Sequence, residues 1–101
     1  MRDRADLQTL FENILESQNV YFQPPDGMRI EYDAIIYDLS NRDNRHANDS
    51  IYKQDIAYEV IVIYRNPDSD LPKKISQLPT CRFNRAYKKD NLNHEVFTLY
   101  W

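Results

Sequence analysis

The stretch "IYRNPDSDLPKKI", residues 63 to 75, sets Asp68 and Asp70 two apart around Ser69. At that spacing two carboxylates on an extended loop can face one divalent cation. A calcium loop of the helix-loop-helix kind also needs further oxygen ligands at regular spacing, a glycine at its turn and a closing glutamate, and none follows. A helix start accounts for every residue instead. Asn66-Pro67 stops a strand, Ser69 or Asp70 caps the helix, and Lys73 and Lys74 lie on its wet face. Ser69 and Asp70 are therefore expected as cap residues.

The other reactive side chains are scattered. His46 sits in a polar stretch, His94 starts a strand pattern and Cys81 is distant from both, so nothing local signals a nucleophile with its base and orienter. A metal-dependent nuclease needs clustered acids with a lysine nearby. Glu59 is followed by Val60 and Ile61, and Asp33 has no basic companion on its strand. The single cysteine cannot form an internal disulfide and lacks neighbours at zinc-site spacing, so a reducing compartment is expected. No catalytic residue, metal ligand or cofactor is expected.

One cationic run stands out. Arg82, Arg85, Lys88 and Lys89 alternate with Phe83 and Tyr87, the composition of a small surface on which bases stack. The whole chain, however, carries 13 basic against 16 acidic side chains, a formal charge of -3, which argues against gripping a nucleic-acid backbone by counterion release. A solvated strand face and turn is the simpler reading.

The elements that must position these residues follow from pattern. Leu7, Leu10, Phe11, Ile14 and Leu15 form the apolar stripe of a helix between Asp3 and Ser17, with Asp3 or Asp6 as its cap. Too short to stand alone in water, it must pack onto a sheet. Val20 to Phe22 form a short strand or extended arm ending at Pro24-Pro25-Asp26-Gly27. "MRIEYDAIIYDL", residues 28 to 39, alternates as a strand and then turns apolar on both faces. Residues 40 to 54 lack periodicity and predict a long loop, of a length usually functional or partner-ordered. "DIAYEVIVIYR", residues 55 to 65, is the strongest strand pattern and belongs near the sheet centre. Leu71, Ile75 and Leu78 predict a second helix. "TCRFNRAY" and "HEVFTLYW" predict two further strands around a turn in "KKDNLN".

With 101 residues the chain builds one domain, residues 1 to 101, around one core. The start shows no apolar stretch of signal-peptide length, and no window approaches the ~20 apolar residues of a membrane span. The expected class is α+β: a mixed or antiparallel sheet of four to five strands, two helices on one face and a long loop over 40–54. The 8 tyrosines exceed what one small core needs, and surplus tyrosine suits a protein interface.

In this order of elements, and in the stretches "VYFQPP", "YDAIIYDL", "AYEVIVIYRNPDSDLPKKI" and "DNLNHEVF", the chain resembles the tail-terminator (tail-completion) family of long-tailed bacteriophages. The resemblance implies a virion structural protein without catalysis. Its members form a ring, usually hexameric, at the head-proximal end of the tail tube, ending polymerisation and joining tail to head. The implied partners are further copies of the chain, the tail tube protein and the head connector proteins, with genome DNA passing through the lumen unread. No membrane or small-molecule substrate is implied. The location would be the virion neck or tail, and host cytoplasm during assembly. Residues 40 to 54 would reach a neighbour, with Arg42, Asp43, Arg45 and Asp49 pairing across subunits and Tyr52, Tyr100 and Trp101 as further contacts. The two-proline turn and the single glycine depart from many members. A head-completion connector (adaptor or stopper) of the same neck, or a small nucleic-acid-binding module, are the alternatives.

Overall fold

The computed structural model describes residues 3–44 and 54–101. Along the chain run α1 (Arg4–Leu15), β1 (Val20–Phe22), β2 (Ala34–Asn44), β3 (Gln54–Tyr64), α2 (Leu71–Ser76), β4 (Cys81–Lys89) and β5 (Leu92–Tyr100). The strands form one open sheet in the order β1-β2-β3-β5-β4, with β1 parallel to β2 and the other pairs antiparallel. The α+β class, the strand count and the two helices are as the sequence predicts.

The core follows from register. Ile35 pairs with Val62 and Tyr37 with Val60, while Val60 pairs with Phe97 and Tyr58 with Leu99, so these side chains share one face. On that face they form a single cluster with Leu7 and Phe11 of α1 and Leu71 and Ile75 of α2. Both helices therefore cover the same side. Phe11 meets Tyr37 edge-on, with centroids 5.3 Å apart, a geometry that adds to the area each ring buries. The Tyr37 hydroxyl donates to Gln8 Oε1 at 2.6 Å and accepts from Arg4 at 3.1 Å. A buried phenol is thereby satisfied, and burial pushes its pKa up against the opposing pull of Arg4.

Local chemistry fixes the element ends. Asp3 caps α1 by accepting from the Asp6 amide at 3.0 Å, and the Asp6 carboxylate accepts from the Asp3 amide at 3.5 Å, so both expected capping acids take part. At α2 the Ser69 hydroxyl accepts from the Leu71 amide at 3.2 Å. Asp70 occupies the N-cap position, yet its side chain makes no cap bond and lies 3.8 Å from Lys74 instead. Asp90 and Asn91 both adopt positive φ in the two-residue β4–β5 connection, the handedness that tight hairpins require.

Two expectations are corrected. Residues 28 to 33 alternate as a strand but are not one, and β2 begins only at Ala34. Its partner β3 ends at Tyr64, where Arg65 to Pro67 turn away, so no strand is in place for residues before Ala34 to pair with. The loop over 40–54 is also shorter than expected. Asn41 to Asn44 pair with Gln54 to Ala57 after a register shift between Leu39 and Asn41, which makes a hairpin arm. A two-stranded ladder needs backbone groups, not apolar alternation, and polar side chains hid it. The strand order, which spacing leaves open, puts β5 between β3 and β4 and β4 at the edge.

Candidate functional site

The acidic stretch of residues 66 to 70 is occupied by its own turn. Asn66 Oδ1 accepts from the Asp68 amide at 2.9 Å, and the Ser69 amide donates to the Asn66 carbonyl at 2.9 Å. The two aspartates thus serve a turn and a helix start. Among the described residues no group of three His, Cys, Asp or Glu side chains could hold a metal ion. Asp33 accepts from the Arg65 amide at 3.1 Å, tying the start of β2 to the end of β3. Cys81 is half-buried, and burial pushes its thiol up to about 11, away from thiolate reactivity. His94 stacks on Tyr87 at 4.8 Å, with Nδ1 3.1 Å from the Leu92 carbonyl oxygen. His46 lies outside the described residues.

The remaining chemistry is that of surfaces. Strand β4 is exposed from Arg82 to Lys89, and among the described residues β5 is its only strand neighbour. Among the described residues its four cations make no ion pair. Phe83 points to the helix side, 5.7 Å from Phe97, yet is 52 % exposed. With Tyr64, Pro72, Lys73 and Glu95 it lines a shallow groove beside α2. On the opposite face the Arg85 guanidinium lies 6.0 Å from the Tyr87 ring, extending the Tyr87–His94 stack, and Asn84 donates to Thr98 Oγ1 at 2.7 Å.

Among the described residues that second sheet face carries no helix. Its register rows are Ala34, Ile63 and His94, then Ile36, Ile61 and Val96, then Asp38, Glu59 and Thr98. Asp38 and Glu59 are directly opposite, an arrangement of like charges that works against the sheet. Toward the arm, Tyr100 pairs with Ala57 and is 47 % exposed.

The expected interface residues divide into three groups. Arg42 and Asp43 lie in the arm, paired with Ile56 and Asp55. Arg45, Asp49 and Tyr52 lie outside the described residues. Tyr100 and Trp101 sit at the base of the arm. The Trp101 amide donates to the Ile56 carbonyl at 2.9 Å and its indole to the Asp3 carbonyl at 2.8 Å, so it clasps the chain end to the start of α1. Of the tyrosines, Tyr37, Tyr58 and Tyr64 are core, whereas Tyr32, Tyr87 and Tyr100 are exposed. Sequence reasoning missed the Asp38–Glu59 pair and the clasp, because both depend on strand order.

No family model matches the chain, and neither a curated protein nor a solved structure matches it.

Proposed function

We propose that the protein is a structural assembly subunit that forms a ring at the head-proximal end of a phage tail tube, ending tube growth and joining tail to head. The arm carries this reading. Residues 43–44 and 54–55 pair with each other beyond the end of β5, so this ribbon extends past the helix-covered sheet. A ribbon of two strands is marginal by itself in water, and a second subunit or the tube would supply the surface it lacks. Exposed aromatic side chains at the arm base and on β4 support the same reading, since such groups anchor protein interfaces.

Electron microscopy of the purified protein mixed with tubes of the tube protein encoded beside it tests this reading. Rings or caps at one end of the tubes are expected, with native mass spectrometry showing a closed oligomer. A chain that stays monomeric and leaves tube ends bare overturns it. Binding to head particles in place of tube ends would assign the protein to the connector side of the same joint. The cationic β4 strand favours a second reading, a single-strand nucleic-acid module. That reading requires oligonucleotide binding that weakens steeply with salt.

A further inference from the structure

Among the described residues the sheet has one long free edge, and its chemistry is one-sided. The β1 edge is three residues long and stops at Gln23-Pro24-Pro25, where proline cannot donate to a ladder. The β4 edge is nine residues long, and it carries Arg82, Arg85, Lys88 and Lys89 with no acid between Cys81 and Lys89. Cationic side chains on an edge strand repel a second copy of the same strand, which disfavours a two-fold pairing of β4 with β4. They leave the edge open to an acidic extended segment.

The chain supplies such a segment after β1. Residues 26 to 33 leave from the β1 edge and carry Asp26, Glu31 and Asp33 against Arg29 alone. Met28, Ile30 and Tyr32 alternate with Arg29, Glu31 and Asp33 as in a half-buried strand, yet the segment joins no ladder. Met28 is 45 % exposed, Arg29 and Glu31 pair at 3.4 Å on the surface, and the Glu31 amide donates to the Tyr21 hydroxyl at 3.2 Å. A strand pattern without a strand partner and an edge without an acidic partner thus lie on one molecule, with opposite charge.

We propose that Met28–Tyr32 of one copy adds as a strand to the β4 edge of the next, a head-to-tail contact whose repetition builds the ring. The inference rests on the assembly reading above and names its contact. Because the two surfaces differ, the interface is heterologous, and it closes into a ring when the rotation per subunit divides a full turn. Backbone ladder bonds supply the adhesion, and the acids of residues 26 to 33 against the cations of β4 set direction.

Charge exchange tests it. One variant carries Arg85→Glu and Lys88→Glu, a second Asp26→Lys and Glu31→Lys, and a third all four changes. All the altered side chains are exposed, and circular dichroism checks that each variant folds. Native mass spectrometry and electron microscopy with tubes then read assembly. Each two-fold variant is expected to lower the assembled fraction by about tenfold or more, because like charges then meet across the contact. The four-fold variant and an equimolar mixture of the two-fold variants are expected to recover it. Undiminished assembly in both two-fold variants overturns the inference and leaves the assembly reading standing. So does loss that the four-fold variant fails to recover, or a β4 variant that loses only oligonucleotide binding. A wild-type chain that is monomeric even with tubes overturns both.

Discussion

Tyr64 shows how a residue can record its packing in a titration. Its hydroxyl donates to Glu95 Oε2 at 2.5 Å from a buried position, and burial first, then the carboxylate, pushes its pKa up to about 12. The unfolded chain releases that proton near 10, so the folded state holds the proton more tightly between these values. The contribution is complete below about pH 10 and is lost as pH rises toward about 12. Urea midpoints measured across this window should fall more steeply for the wild type than for Tyr64→Phe. Parallel alkaline limbs would remove Tyr64 from this role. Ser69 and Asp70 teach a related lesson. Both types cap helices, but only the serine hydroxyl reaches an amide here, and that choice depends on turn geometry that residue identity does not specify.

At the scale of elements, the arm should be separable from the body. Residues 43–44 pair with 54–55 beyond the end of β5, whereas the core cluster is built from α1, α2 and the sheet behind them. Replacing residues 43 to 55 by Asn-Gly, which turns tightly between strands, should leave the melting temperature within a few degrees of wild type, a shift on the order of 1 kcal/mol. Ring formation should be lost. A variant that unfolds would place the arm in the fold, and one that still caps tubes would remove it from assembly.

The arm also marks where sequence reading ends. Helix α1, the apolar run of β3 and the capping acids of α1 were legible because period and cap chemistry are local. Residues 41 to 44 were not, since their ladder rests on backbone groups with polar side chains. Nor was the fate of 28 to 33, whose alternation is that of a strand while its partner strand stops short at Tyr64. The position of β5 between β3 and β4 depended on the path after α2, which spacing leaves open. Of the candidate surface, the cationic run of β4 was legible. Its place at a free edge came only with the strand order.

For the whole molecule, two electrostatic effects act on assembly with opposite signs under added salt. Each copy carries a formal charge of -3, so copies repel, and salt relieves that repulsion. The edge contact brings carboxylates against β4 cations, and salt weakens that attraction. Distance decides which wins. The chain extends 48 Å along its long axis, and most charges on neighbouring copies lie beyond the ~8 Å Debye length at physiological ionic strength, so their repulsion is already screened. Charges a few ångströms apart across a strand pair are still unscreened there and lose strength only as the Debye length shrinks to ~3 Å near 1 M salt. Assembly should therefore weaken progressively between these conditions, with the loss concentrated in the association rate, where charge complementarity acts most strongly. Light scattering after mixing, recorded across a salt series, measures both the rate and the final mass. The four-fold charge-exchanged variant should follow the wild-type curve, since it presents the same attraction with the signs reversed. Assembly that strengthens with salt would mean that apolar surface such as Phe83 and Tyr100 dominates the contact, and the charged edge would then not be its determinant.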